Sequence, residues 1–210
     1  NNYDCCVAYY DEHLLEISIE QRRLLGEFEP ALQNDEFVMY LQPQVKRDGA
    51  AKGAEALVRW VHPSRGILTP YAFIDILENA GLIYKLDLYI WEKAAQKLAE
   101  WKEKGYGSYH ISVNISTKDF YIIDIYETFT GLINKYGIAA SNLHLEITET
   151  TLMTDFEKNM NIIHKLQDVG FRVEIDDFGS GYSSLNMLKD ISADVLKIDM
   201  GFLRKSENEV

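Results

Sequence analysis

Three patterns of apolar and polar residues follow one another along the chain. A short apolar run at residues 6–10 reads as a strand. The next segment, which Asp11 could cap and which reaches residue 31 or 32, has helical periodicity, with apolar residues Leu14, Leu15, Leu24, Leu25 and Phe28. From residue 36 the pattern becomes strand, turn and strand, over residues 36–45 and 54–60. These two strands are close enough to form an antiparallel hairpin.

Helices and strands alternate after the hairpin. A helix toward residue 80 begins with Thr69 as cap and Pro70 at its first position. In chain order, the later elements are a helix at 86–104, a strand at 109–115, a helix at 123–136, a strand at 143–147, a helix at 155–169, a strand at 172–176, a helix at 183–189 and a strand at 195–199. This alternation predicts parallel strands joined by helical crossovers. A closed barrel and an open doubly wound sheet both fit. No glycine-rich dinucleotide loop follows the first strand.

Composition and charge narrow the class of protein. The chain has 210 residues, of which 47% are hydrophobic, enough for one large domain or for a domain with an appendage. It has no apolar run of about 18 residues that would span a membrane. The only cysteines, Cys5 and Cys6, are adjacent, which favours a reducing, cytoplasmic compartment. A net charge of −12 argues against binding to a DNA or RNA polymer. A small phosphate-bearing ligand remains possible, because bound metal ions reverse the local charge.

Polar and charged residues recur at or near the carboxyl ends of the predicted strands. Glu55, Leu57 and Arg59 share one face of the second strand. The other strand-end residues are Asn114, Glu146, Glu149, Asp176, Asp177, Lys197 and Asp199. Barrel enzymes place their active sites at this end, and converging carboxylates are stabilised by divalent cations such as Mg²⁺ or Mn²⁺. Two ions served by Asp176 and Asp177 would suit phosphodiester cleavage.

Each of these residues also has an ordinary structural interpretation. A lone glutamate at a strand end is usually a solvated rim residue, and Asp-Asp before Phe-Gly is often only a turn. Recurrence in strand after strand favours a site. The histidines lack zinc spacing, so we interpret them as structural or surface residues. Glu174 shares a strand face with Asp176, and we leave open whether it is an extra buried carboxylate or marks a bend in register.

The chain resembles the EAL domain, the cyclic-di-GMP phosphodiesterase of bacterial signalling, over about residues 36–203. The segments that match, in family order, are Leu41-Gln-Pro-Gln44, Glu55-Ala-Leu-Val-Arg-Trp60, Val113-Asn-Ile-Ser116, Leu145-Glu-Ile-Thr-Glu149, Asp176-Asp-Phe-Gly-Ser-Gly-Tyr-Ser-Ser-Leu185 and Leu196-Lys-Ile-Asp199. The resemblance implies a modified (β/α)₈ barrel of the TIM type whose first strand is antiparallel. It also implies hydrolysis of cyclic di-GMP to linear pGpG.

The resemblance also implies a role for each matching residue. Glu55, Asn114, Glu146 and Asp176 would bind one Mg²⁺ or Mn²⁺, and Asp177 would help to bind a second, with Ca²⁺ inhibitory. Lys197 would position or activate water, and Glu149 would hold the glycine-rich loop that begins at Asp177. The residues expected to contact the cyclic dinucleotide are Gln42, Leu57, Arg59 and Asp199.

The resemblance also predicts what the two ends of the chain contain. Residues 1–30 resemble the tail of a GGDEF-like domain and its linker helix, and residues 31–210 resemble an EAL domain without its last strand–helix units. The missing units would carry a further metal-binding or general-base glutamate and a Gln-Gly segment. The chain would then be a piece of a longer protein, or it would complete its barrel by oligomerising. We expect a homodimer, and an isolated 210-residue chain that is inactive or weak although its parent is competent.

Two other functions stay open. The chain would be a non-catalytic cyclic-di-GMP receptor if its site had degenerated, or a regulatory interaction domain if it bound no nucleotide. Every metal-ligand position that the resemblance assigns within this chain is filled, which favours the phosphodiesterase. We expect a cytoplasmic domain, with any membrane anchor in an upstream region of the parent.

Overall fold

The computed structural model describes residues 12–179 and 191–199, with side chains from residue 15 onward. Its helices are α1 (Glu12–Gln33), α2 (Ile74–Asn79), α3 (Ile83–Glu103), α4 (Asp119–Ile122), α5 (Ile125–Tyr136), α6 (Glu149–Thr154) and α7 (Phe156–Val169). Its strands are β1 (Phe37–Val45), β2 (Ala51–His62), β3 (Gly66–Leu68), β4 (His110–Ile115), β5 (Leu143–Thr148), β6 (Arg172–Phe178) and β7 (Val195–Ile198). The predicted strand at 6–10 and helix at 183–189 lie outside the described residues.

The described strands form one sheet in the order β1-β2-β4-β5-β6-β7, with β3 attached to β2. β1 and β2 pair antiparallel, as the hairpin prediction required. The pairs β2–β4, β4–β5, β5–β6 and β6–β7 are parallel, whereas β3 pairs antiparallel with β2. The connections from β2 to β4, from β4 to β5 and from β5 to β6 carry helices, so the alternation of apolar and polar segments predicted the α/β class and the antiparallel first strand correctly.

The sheet curls strongly enough to bring distant strands together. β2 and β7 are four strand spacings apart in the sheet order, which is about 19 Å in a flat sheet. Even so, the Lys197 ammonium on β7 lies 3.3 Å from a carboxylate oxygen of Glu55 on β2. Only a sheet bent around its own inner face allows this contact. The curvature is that of a modified (β/α) barrel, and it decides between the two architectures that the sequence left open.

Apolar side chains fill the layer between the sheet and its helices. On β4 and β5 the residues that point toward the helices are fully or almost fully buried, namely Ile111, Val113, Ile115, Leu143, Leu145 and Ile147. Trp91 on α3 packs against Phe129 on α5, with ring centroids 4.5 Å apart. Strand alternation therefore turns the residues between these positions toward the inside of the curved sheet, where polar side chains gather.

Helix α1 closes the sheet beside the hairpin. Leu24 and Phe28 are buried, and the Phe28 ring meets the Phe37 ring edge-on at 5.7 Å. Glu27 accepts a hydrogen bond from the buried His62 ring, at 2.9 Å. No helix in the described residues combines the length and hydropathy needed to cross a membrane.

Several elements differ from the prediction. The segment from residue 70 is not one helix but a 3₁₀ turn, Pro70–Ala72, followed by α2, and the Thr69 side chain makes no capping hydrogen bond. Phe73 stands between the two pieces, with its ring 5.7 Å from Phe37 and 5.9 Å from Trp60. Packing of this aromatic ring takes precedence over helix continuity. The sequence analysis also did not predict β3, α4 or α6.

Candidate active site

Lys197 lies at the centre of the acidic residues on the inner face of the sheet. Its ammonium nitrogen is 2.5 Å from Glu146, 3.3 Å from Glu55, 3.8 Å from Glu174 and 4.0 Å from Asp176. These residues come from β2, β5, β6 and β7, so the curl of the sheet assembles the cluster. Of the predicted site residues, the structure brings Glu55, Glu146, Asp176 and Lys197 together.

Glu146 is the most deeply buried member of the cluster, with no exposed surface. Burial raises the pKa of its carboxyl group to about 8, although the neighbouring Lys197 acts in the opposite direction. The Glu146 carboxyl group also lies in hydrogen-bond contact with the carboxyl group of Glu174. Two buried carboxyl groups in contact repel each other when both are ionised, and a divalent cation would relieve that repulsion.

Asp176 and Asp177 lie at an irregularity in strand β6. The pairing of β6 with β7 shifts register between Ile175 and Phe178. Asp177 has a φ of 54°, in the left-handed region, and its backbone N–H donates to Oδ1 of Asp176 at 2.9 Å. Burial, followed by the charge of Asp176, raises the pKa of Asp177. A bulge of this kind turns two consecutive side chains toward the same end of the sheet.

Glu149 begins helix α6 directly after β5. Its carboxylate accepts a hydrogen bond of 2.8 Å from the backbone N–H of Gly179, which follows the Asp-Asp-Phe segment. Thr148 caps the helix by accepting from the N–H of Thr151 at 3.2 Å. Glu149 thus ties the end of β5 to the segment after β6. The serines that follow in the loop lie outside the described residues.

The other predicted site residues lie at the rim. Asn114 is exposed at the end of β4, and its carbonyl accepts from the Trp91 indole at 2.9 Å. Gln42 on β1 is directly paired with Glu55, and Leu57 lies further along β2. Arg59 donates to the carbonyl of Val58 at 2.8 Å, so its described hydrogen bond is not to the acidic cluster. The backbone N–H of Asp199 donates to the carbonyl of Phe178 at 3.1 Å, which joins the ends of β6 and β7.

A second polar layer, which the sequence pattern did not predict, lies below the acids. His110 and His144 stack in parallel, with ring centroids 3.7 Å apart and planes at 2°. His110 is hydrogen-bonded to Gln44 at 2.7 Å, and His144 Nδ1 donates to Glu174 at 2.6 Å. Period-two alternation in β4 and β5 was the available signal, because it places both histidines on the inner face.

Glu174 is the extra buried carboxylate that the sequence left undecided, and it is 3% exposed. Burial, the largest single effect, raises the pKa of Glu174, but the hydrogen bond and charge of His144, the contact with Glu146 and the charge of Lys197 together hold that pKa below its ordinary value. Oxygen or nitrogen atoms of His110, His144 and Glu174 lie within 4.8 Å of one another, close enough for a metal ion. A metal there would have to displace the hydrogen bond between His144 and Glu174, and parallel rings do not aim their lone pairs at one point.

The acidic cluster fits a metal ion better than the histidine layer does. It offers carboxylate oxygens from Glu55, Glu146 and Asp176 around a common point, with the amide of Asn114 and the carboxylate of Asp177 at the same end of the sheet. Oxygen donors of this kind suit Mg²⁺ or Mn²⁺. Four carboxyl groups surround a single ammonium here, so the charges of this cluster do not balance unless a carboxyl group is protonated or a cation binds.

Comparison with known proteins identifies relatives over most of the chain. The bifunctional diguanylate cyclase/cyclic di-GMP phosphodiesterase MucR of Pseudomonas aeruginosa is 35% identical over 187 residues, which cover 89% of this chain and 27% of MucR. The cyclic di-GMP phosphodiesterase PdeR of Escherichia coli is 33% identical over 174 residues, 83% of this chain and 26% of PdeR. The chain therefore spans about a quarter of the length of these relatives.

Solved structures of other proteins have a similar fold. The MucR phosphodiesterase in complex with c-di-GMP aligns with a TM-score of 0.82 at 34% identity, over 89% of this chain and 76% of that one. The EAL enzyme Bd1971, bound to cAMP and cyclic di-GMP, aligns with a TM-score of 0.80 at 29% identity, over 91% of this chain and 53% of that one. The family model described as the EAL domain matches residues 26–210, and the chain belongs to the EAL domain family.

Proposed function

We propose that this chain is the phosphodiesterase domain of a cyclic-di-GMP signalling protein, and that it hydrolyses one phosphodiester bond of cyclic di-GMP to give linear pGpG. The observation that carries the proposal is the cluster of four carboxyl groups around Lys197, of which that of Glu146 is fully buried. Relatives named as cyclic di-GMP phosphodiesterases and a relative solved with c-di-GMP support the choice of substrate.

In this proposal Mg²⁺ or Mn²⁺ is bound by the strand-end oxygens. Glu55, Asn114, Glu146 and Asp176 hold one ion, and Asp177 contributes to a second. When bound, the ions supply an activated water and neutralise charge on the phosphate. Asp177 has a left-handed backbone conformation, which is strained for a residue other than glycine. Strain of this kind is common at functional sites, and here it places two adjacent carboxylates at the end of β6.

In this proposal the remaining side chains bind the substrate and orient the groups around it. Lys197, fixed by ion pairs to Glu146 and Glu55, holds a positive charge where a phosphate or its attacking water would lie. Glu149 fixes the segment that follows Asp177 through the N–H of Gly179. Residues of the rim contact the dinucleotide in this proposal, namely Gln42, Leu57, Arg59 and Asp199, with the Arg59 guanidinium suited to a phosphate.

A hydrolysis assay with matched variants tests the proposal. The full-length protein that carries this sequence should convert cyclic di-GMP to pGpG with Mg²⁺ or Mn²⁺, and Ca²⁺ should support binding without turnover. Glu55→Ala and Glu146→Gln should each reduce kcat by at least about 100-fold, because each removes a metal ligand. Glu157→Gln, an exposed change on α7, should leave kcat unchanged.

Two outcomes would contradict the proposal. Turnover that persists in Glu55→Ala would refute the metal assignment. Calorimetric binding of cyclic di-GMP without any turnover in the wild type would make the protein a receptor instead. We also propose a homodimer and a cytoplasmic location. We propose an upstream GGDEF-like domain as well, since the relative MucR is named a bifunctional diguanylate cyclase/cyclic di-GMP phosphodiesterase.

A further inference from the structure

One of the four carboxylates around Lys197 lies outside the proposed metal-binding set. Glu55, Glu146 and Asp176 are the proposed ligands, and their oxygens lie 3.3, 2.5 and 4.0 Å from the ammonium. Glu174 is the fourth, with Oε2 at 3.8 Å. The sequence analysis could not give Glu174 a role, and the proposed function does not use it.

Metal binding changes the forces on Lys197. Before metal binds, three of its neighbouring carboxylates are free to pair with it. Cations bound to Glu55, Glu146 and Asp176 would occupy those oxygens and repel the ammonium, which is only 24% exposed at its side chain. A counter-ion that does not bind metal would then hold Lys197 in place.

The position and hydrogen bonding of Glu174 suit it to act as that counter-ion. One of its oxygens accepts the His144 Nδ1 hydrogen bond at 2.6 Å, and the other lies 3.8 Å from the Lys197 ammonium, while the side chain also contacts the Glu146 carboxyl group. His144 is itself held by the parallel His110 ring at 3.7 Å, and His110 is bonded to Gln44 at 2.7 Å. A carboxylate fixed from below in this way loses little freedom when it pairs with a cation, as positioning groups around metal sites require.

We propose that Glu174, oriented by His144, is a positioning residue that keeps the Lys197 ammonium at the mouth of the barrel when the other carboxylates bind metal. This inference rests on the proposed function for its effect on turnover. The restraint that Glu174 places on Lys197 does not depend on which substrate the protein binds.

Kinetics of paired variants in the full-length protein provide the first test. Glu174→Gln keeps an oxygen that accepts from His144 and removes only the charge. It should lower kcat by about 10- to 100-fold, the range for groups that orient metal-site residues, while KM for cyclic di-GMP changes less than about threefold. In a Lys197→Met background the same change should lower kcat no further, because the residue through which it acts is gone. A full additional loss in that background would show a merely structural role and overturn the proposal.

Metal affinity separates positioning from ligation. Mn²⁺ binding followed by electron paramagnetic resonance should give a dissociation constant for Glu174→Gln within about threefold of the wild type, whereas Glu146→Gln should weaken it at least tenfold. A loss in Glu174→Gln as large as in Glu146→Gln would make Glu174 a ligand and overturn the proposal.

A readout without turnover makes the two proposals separable. In Mg²⁺-saturated protein labelled with ¹⁵N lysine, the Lys197 ammonium should give a resolved signal that Lys197→Met removes and that Glu174→Gln broadens or loses. An unchanged signal in Glu174→Gln would overturn the inference whatever the activity. If the wild type failed to hydrolyse cyclic di-GMP while this signal behaved as expected, the proposed function would fail and the restraint on Lys197 would stand.

Discussion

Asp87, which is partly buried, pairs with Asp119 beside a cavity of about 460 Å³ that Asp87, Leu57 and Asn114 line. Burial, with the charge of Asp119 next, raises the pKa of Asp87 well above its ordinary value. Asp119 is fully buried, and its pKa is raised by burial as well. Oδ2 of Asp119 accepts from the N–H of Ser116 at 2.8 Å, and the carboxyl groups of Asp119 and Asp87 share a hydrogen bond. Two carboxylates in this position repel each other unless one is protonated.

Asp119→Asn should therefore stabilise the protein at neutral pH. The amide oxygen keeps the hydrogen bond from Ser116, and the amide nitrogen can donate to Asp87. A raised pKa in the folded state means that this pair loses stability as pH rises above the ordinary aspartate range. The free energy of unfolding should rise by about 1 kcal/mol at pH 7, and by less at pH 4. Urea unfolding at both pH values, with the exposed Asp168→Asn as control, checks this; a variant destabilised at pH 7 would contradict it.

His110 makes the opposite contribution to the pH dependence. Burial, assisted by the neighbouring His144, lowers the pKa of His110 to about 4. The folded state therefore holds His110 neutral, while the unfolded chain binds its proton near pH 6.5. Stability should rise by on the order of 2 kcal/mol as pH increases from about 4 to about 6.5, and the His110 contribution should be flat above that window.

His110→Gln should remove this contribution, whatever it does to stability at neutral pH. The difference in unfolding free energy between wild type and variant should shrink as pH falls from 6.5 toward 4. His164→Gln, at an exposed position, should leave the difference constant. A wild-type curve parallel to that of His110→Gln across the window would show that His110 is not held neutral.

Strand alternation let the sequence predict which residues face inward, and Glu55, Glu146, Asp176 and Lys197 lie together in the structure. Strand alternation did not predict the histidine layer beneath these residues. His110 and His144 are 34 residues apart, and they stack only because β4 pairs with β5 in the register that sets Ser112 opposite His144. Register and curl depend on tertiary packing, so the counter-ion role of Glu174 was not visible from its strand alone.

At the scale of elements, the hairpin and the crossover helices were predictable because each has its own period and end signals. The break at Phe73 was not, because it depends on contacts with Phe37 and Trp60 in a hairpin that lies earlier in the chain. The close approach of β2 to β4 is another long-range feature. At Gly53 an added Cβ would lie 2.5 Å from the His110 carbonyl oxygen and 2.6 Å from its ring.

Gly53→Ala should therefore push the two strands apart. Because the obstructing atom belongs to the backbone, side-chain rotation cannot relieve the clash, and we expect a loss of about 3 kcal/mol in unfolding free energy. Gly131→Ala on α5 is the matched control, since nothing lies within 4 Å of its added Cβ. That control should gain about 0.5 kcal/mol, as alanine does in a helix interior. Equal effects of the two changes in chemical denaturation would mean that β2 and β4 are not packed as closely as described.

At the scale of the whole molecule, the acidic cluster connects parts of the fold that are far apart in the chain. Its members come from β2, β5, β6 and β7, and Glu55 and Lys197 are separated by 142 positions. The chain also carries a net charge of −12, so like charges repel one another in both the folded and the unfolded state. A ligand that binds only where these strands meet stabilises the entire sheet and not one loop.

Divalent cations should accordingly raise the thermal stability of the metal-free protein as a single cooperative unit. At a free Mg²⁺ or Mn²⁺ concentration 100 times the dissociation constant, linkage gives about 2.7 kcal/mol, which corresponds to several degrees in Tm. Glu146→Gln should lose most of this shift because it removes the one fully buried carboxylate of the proposed ligand set, whereas the exposed Glu157→Gln should retain it. Calorimetry with and without metal measures the shift. If Glu146→Gln kept the full shift, the cation would be stabilising the fold somewhere other than at the strand ends, and the cluster around Lys197 would be a network of ion pairs rather than a metal site.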